Sequence, residues 1–182
     1  TTFGVDGGVV DKNGELIYPV ISWQCNRTQP IMKAIDKYIP LEKLYNINGN
    51  YPYAFNTINK IIWLKENRSE VLDEGHRFLF VSSLLIQKLT GVMKNDATMM
   101  GTSMMTDLKS RSLSLEILGK LNIKADLFGE IAEPGDLAGD VHKEAASTTG
   151  IPHGTPVFFA GHDTQFAIFG SGAQVNQPVV SS

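Results

Sequence analysis

The 182-residue sequence holds one cysteine, Cys25, so no intrachain disulfide can form, which fits a reducing compartment. It has no apolar run of the ~18 residues a membrane-spanning helix needs, and no secretory leader pattern. Charged residues make up only 19% and the net charge is -3. No long basic run exists, which argues against a nucleic-acid partner. A Walker-type lysine loop and a G-x-G-x-x-G run are both missing. His76, His142, His153 and His162 show no metal-ligand spacing. No serine sits in a nucleophile-elbow pattern, and no internal repeat or low-complexity segment stands out. Without a leader, Asn26-Arg27-Thr28 and Asn67-Arg68-Ser69 read as chance matches to the glycosylation triplet.

What is present is an ordinary globular composition, 42% apolar, long enough for one domain with a real core. The first residue is not Met, Thr1–Val5 reads as a strand, and Pro178–Ser182 is another β-like run. Strands lacking partners at both ends are expected of a piece of a larger α/β protein.

Along the chain, Val9-Val10 and Leu16–Tyr18 flank Lys12-Asn13-Gly14-Glu15, an Asn-Gly hairpin signal, with Pro19 at an edge. Thr28 and Pro30 open a helix whose apolar spacing runs to Ile39, and Pro40 closes it. Residues 46–52 form a loop, and Phe55–Glu66 is an amphipathic helix with Phe55, Ile58 and Ile62 on one face. Phe78–Val81 is a short strand or buried turn, followed by a helix over Ser83–Leu89 that stops at Gly91. Five methionines between residues 93 and 105 fit core filling better than a soft binding surface. Helices are expected over Leu113–Leu121 and Val141–Thr149, with a loop over Ala132–Gly139 between them. Pro156–Ala160 reads as a buried strand running into Gly161-His162-Asp163-Thr164 and a final helix.

That last junction is the strongest site candidate, because open α/β sheets bind ligands at the carboxyl ends of strands. Asp163 falls at a helix start, where the dipole favours an ionised carboxylate. It is either a functional carboxylate or simply the helix N-cap. The second candidate is Gly4-Val5-Asp6-Gly7-Gly8, either a close backbone approach to a ligand or a bend in a hairpin. Cys25 has no evident catalytic partner and reads as a small buried hydrophobe.

Gly161-His162-Asp163-Thr164-Gln165-Phe166-Ala167 resembles the active-site segment of the FGGY carbohydrate kinases. The resemblance extends over essentially the whole chain: Thr1–Gly7, Ile21-Ser22-Trp23 with Arg27-Thr28, Trp63–Asn67, Gly101–Ser103, and Gly161–Ser182. It implies an α/β fold of the actin-like, ribonuclease H-like ATPase type, built as two domains around a cleft. Residues 1–163 would be an incomplete first domain lacking its first strands and phosphate loop, and 164–182 the start of the second. It implies ATP-dependent phosphorylation of a deoxy-ketose such as L-fuculose, giving the 1-phosphate, with another ketose kinase or a non-catalytic sugar binder as alternatives. Asp163 matches the general base, and His162 and Thr164 match sugar-binding neighbours. Gly4 and Val5 match a sugar-contacting pair that here would act through backbone groups. Trp23 and Phe55 match aromatic walls of the pocket, though core packing explains them as well. ATP and magnesium would serve the intact enzyme in the cytoplasm. The glycine-rich phosphate loop and the adenine-binding segments are not in this sequence, so the chain alone is expected to be inactive.

Overall fold

The computed structural model describes residues 1–180. Among them the first strand, β1 (Gly7–Val10), pairs antiparallel with β2 (Arg77–Phe80), Gly7 facing Phe80 and Val10 facing Arg77. Both strands are buried almost throughout, and they form the floor of the core. The Asn-Gly turn is present: Gly14 has φ +80°, and its N–H donates to Asp11 O at 3.1 Å. The hairpin arm beyond it, however, is reduced to one bridge, Val10 to Leu16, because β2 takes the ladder. Thr1–Val5 likewise forms no strand. Only Thr2 bridges, in parallel, to His162.

The helix expected from Thr28 to Ile39 is broken. Asn26–Thr28 is 3-10, α1 is Gln29–Lys33, and Ile35–Lys37 is 3-10 again. Pro40 ends this run but also starts α2 (Leu41–Asn48), which covers part of the expected loop and closes on Gly49 at φ +73°. Proline at the entrance suits a helix, since its missing N–H is unbonded there anyway. Next, α3 (Thr57–Asn67) begins two residues after Phe55, which therefore lies in the preceding loop. Then α4 (Ser69–Glu74) leads into β2, and α5 (Val81–Thr90) stops at left-handed Gly91 as expected.

After α5 come β3 (Asn95–Asp96), α6 (Ala97–Thr102), β4 (Thr106–Asp107), β5 (Ser112–Leu113) and α7 (Leu115–Leu121). Met99, Met100, Met104 and Met105 are buried to 1% or less, which settles four of the five methionines as core. The segment read as a loop over 132–139 instead holds the end of β6 (Ile131–Ala132) and most of β7 (Leu137–Asp140). β6 runs parallel to β3.

The chain finishes with α8 (Lys143–Thr149), β8 (Pro156–Phe158) and α9 (Asp163–Gly170). β8 is not the buried strand its sequence implied. It pairs with β7 alone, and Phe158 is 54% exposed; only Phe159, just past it, is buried. A short apolar run cannot by itself distinguish a central strand from an edge strand. Residues 178–180 form no strand, and Ser181 and Ser182 lie outside the described residues. No helix among the described residues is long and apolar enough to cross a membrane.

Candidate active site

The site forms where the N-terminal segment meets the β8–α9 junction. Asp163 N–H donates to Thr2 O at 2.9 Å, which holds Phe3–Asp6 alongside His162. Two glycines make this approach possible. A Cβ on Gly4 would sit 2.2 Å from His162 Cδ2, so the imidazole packs directly on bare backbone. Gly161, at φ +144°, would drive a Cβ to within 2.1 Å of Thr98 Oγ1. That hydroxyl accepts the His162 N–H at 2.8 Å and donates to Asp96 Oδ1 at 2.6 Å. The same Asp96 oxygen caps α6, taking the Thr98 and Met99 amides at 3.0 Å each. The junction is thus anchored to the start of a packed helix.

Phe3, Gly4, Val5, Trp23, Phe55 and His162 together line a recess of about 240 Å³. Five positions singled out from the sequence (Gly4, Val5, Trp23, Phe55 and His162) therefore meet in one place, although they are up to 158 residues apart, from Gly4 to His162. Trp23 is half exposed, Phe55 stacks on Tyr53 with centroids 4.9 Å apart, and neither belongs to the hydrophobic core. Core packing is thus not what these two aromatics do. Thr164 is half-buried beside the recess without lining it.

Asp163 is the first residue of α9, and it is not the cap. The N-cap is His162, whose Nδ1 accepts the Thr164 N–H at 3.2 Å. The Asp163 carboxylate is 52% exposed; its Oδ1 takes the same N–H at 2.7 Å and lies 3.3 Å from His162 Nδ1. A carboxylate in the first turn of a helix is stabilised in its ionised form by the helix dipole. Like Thr164, Asp163 does not line the recess, and its carboxylate is open to solvent just past His162, which does.

The turn at Val5 is strained. Asp6 N–H donates to Gly4 O at 2.8 Å across Val5, whose φ is +63°. This is a γ-turn of the rare, left-handed sense, and it is costly for a β-branched residue. Neither the Gly4 nor the Val5 amide donates to any group among the described residues.

Sequence reasoning missed the residues beneath this turn. Val5 O accepts from Thr57 Oγ1 and from Lys60 Nζ, both at 2.9 Å. Lys60 also pairs with Asp6, and both are buried. Burial pulls the Lys60 ammonium below the ordinary lysine range, and hydrogen bonding to Asp6 opposes that pull. The available signal was the Thr57–Lys60 spacing, which puts a hydroxyl and an ammonium on one face of α3.

Cys25 packs against the edge of the core, as a small hydrophobe would, but is only partly buried. The Arg27 backbone N–H and then its guanidinium, Nε at 3.0 Å from Sγ, hold its thiol below the usual range.

Among the described residues no group of three or more His, Cys, Asp and Glu side chains can hold a metal. Asp6 is engaged by Lys60 and Trp23, which leaves Asp163 as a lone carboxylate at the recess. The donor set present does not fit magnesium, and no lining residue offers a cation to phosphate.

The pattern that defines the N-terminal domain of the FGGY family of carbohydrate kinases matches residues 1–170, and the chain belongs to that family. It is 48% identical over all 182 residues to L-fuculokinase of Escherichia coli K12, and 44% identical to L-fuculokinase of Haemophilus influenzae. It spans 39% of the length of the first and 38% of the second. Rhamnulokinase of Enterococcus faecalis is 30% identical over 170 residues, 93% of this chain and 34% of that protein. Among solved structures, xylulose kinase from Lactobacillus acidophilus superposes with a TM-score of 0.86 at 23% identity, covering 94% of this chain and 35% of that one. Glycerol kinase of Plasmodium falciparum gives 0.80 at 19% identity, covering 93% of this chain and 34% of that one. The fold is the α/β, actin-like, ribonuclease H-like ATPase fold of these sugar kinases.

Proposed function

We propose that this chain forms the sugar-binding part of an ATP-dependent kinase that converts L-fuculose to L-fuculose 1-phosphate. One observation carries the reading: Gly4, Val5, Trp23, Phe55 and His162 close a single recess, and Asp163 stands next to it with an exposed carboxylate. The 48% identity to an L-fuculokinase across all 182 residues favours this sugar. The recess is smaller than the ~300–1,000 Å³ of pockets for drug-sized ligands, which suits one monosaccharide.

In this reading Trp23 and Phe55 cover the apolar face of the sugar, the Gly4 and Val5 amides and His162 bond its hydroxyls, and Thr164 supports Asp163. The sugar hydroxyl is far too weak an acid to ionise in advance. Its oxygen bonds to the γ-phosphorus, the bond from that phosphorus to ADP breaks, and the proton passes to Asp163 as charge develops. ATP is the second substrate. Magnesium, which neutralises the phosphates in such transfers, finds no fitting donors among the described residues. Residues 1–163 belong to the first domain and 164–182 open the second, within a reducing, cytoplasmic enzyme that needs no nucleic acid or membrane.

The test is sugar-dependent ADP formation by an enzyme of the relatives' full length that carries this chain, with L-fuculose, L-rhamnulose and D-xylulose compared. We expect the highest kcat/KM with L-fuculose. A preference for L-rhamnulose would move the reading to the rhamnulokinase side, which the 30% identical relative represents. Sugar binding without turnover would leave only a binding protein.

A further inference from the structure

Among the described residues Lys60 is the one buried cation, and the proposed reaction does not use it. It is 1% exposed, although lysine is seldom fully buried. Its ammonium touches Val5 O at 2.9 Å and the Asp6 carboxylate. The other Asp6 oxygen accepts the Trp23 backbone N–H at 3.0 Å. One ion pair therefore links the strained turn that presents Gly4 and Val5 to the segment that presents Trp23.

We infer that Lys60, together with Asp6, is a positioning residue that sets the shape of the sugar recess. The inference rests on the sugar reading of that recess. A buried ion pair is often no more stabilising than apolar residues of the same volume, so stability is a weak reason for it to be there. A backbone held at an unfavourable φ persists only where its surroundings over-determine it. Lys60 and Thr57 both pull on the Val5 carbonyl, and Asp6 ties the turn to the opposite wall. Without these bonds Val5 is free to relax out of φ +63°, and the stretch of Gly4 and Val5 that lines the recess shifts with it.

The experiment measures L-fuculose affinity by calorimetry on the full chain. It uses the double variant Lys60→Met with Asp6→Asn, which strands no buried charge, and Thr57→Val, which removes only the second bond to Val5 O. Acrylamide quenching of tryptophan fluorescence, read in a Trp63→Phe background because Trp63 is the second tryptophan, reports the Trp23 wall. For the double variant we expect a melting temperature within about 4 °C of the parent, the scale of a ~1 kcal/mol change in a protein this size. Its affinity should fall ~10-fold or more, with stronger quenching; Thr57→Val should lose ~3-fold. If the double variant does not fold, Thr57→Val decides. Unchanged affinity in folded variants overturns the positioning role and leaves the sugar reading intact. No L-fuculose binding by the parent chain overturns the sugar reading, and this role falls with it.

Discussion

In the proposed reaction Asp163 and Gly4 matter for opposite reasons. Asp163 supplies a carboxylate that can take a proton, and the capping duty falls on its neighbour His162. Asp163→Asn keeps the shape and one acceptor oxygen but cannot take the proton. In an enzyme of full length we expect kcat to fall ~10²–10⁴-fold, the usual range for a positioned base, with sugar affinity and melting temperature nearly unchanged. Steady-state kinetics on the folded variant check this, and normal turnover would remove Asp163 from the reaction. Gly4 supplies an absence. Its Cβ would lie 2.2 Å from His162 Cδ2, so Gly4→Ala must push the imidazole out of the recess. Overpacking of this kind costs ~1–3 kcal/mol, and the melting temperature together with L-fuculose affinity should both drop. A variant that melts and binds like the parent would show that the imidazole is free to move. The pairing of a helix-start carboxylate with strand-end glycines was legible in the sequence. That His162 and not Asp163 is the N-cap was not legible, because Asp is itself a preferred cap.

Between elements, the turn ending at Tyr38 is fastened to α3 by a hydrogen bond from the Tyr38 hydroxyl to Glu66. Burial, reinforced by that hydrogen bond and the nearby negative charge, raises the phenol from 10.0 to about 12. The folded state thus holds this proton more tightly than the unfolded state does. The contribution to stability is complete below pH 10 and is lost as the pH rises from 10 to about 12. Tyr38→Phe has no such proton to lose. Its urea midpoint should fall less steeply than the parent's across that window, and parallel curves would count against the contact.

Over the whole molecule, burial is uneven. β1, β2, α3 and α6 enclose the main core, while α9 has no buried residue, Phe169 being 82% exposed, and Val175 beyond the helix is 90% exposed. This supports the proposal that the chain leaves its first domain at about Asp163. The backbone bonds at Thr2 and Asp163 hold the start of α9, and the residues after Gly170 add almost no burial. Deleting everything beyond Gly170 should change stability by no more than about 0.5 kcal/mol, as surface changes usually do. Thermal unfolding of the shortened chain measures this. A large loss would place that tail in the first domain's packing.

By itself the sequence determined the α/β class, the family, the methionine-filled core, the stops at Gly14 and Gly91, and the Asp163 junction. Each is written in local spacing or in a contiguous motif. Only the tertiary structure decided that β1 pairs with β2 and not with its own hairpin arm, and that β8 is an edge strand. It also decided that Lys60 turns inward to hold Val5 and Asp6. These outcomes depend on contacts between residues far apart in the chain, Lys60 and Val5 being 55 positions apart. Helical spacing places a lysine on a face of its helix, but what lies opposite that face is set by the rest of the fold.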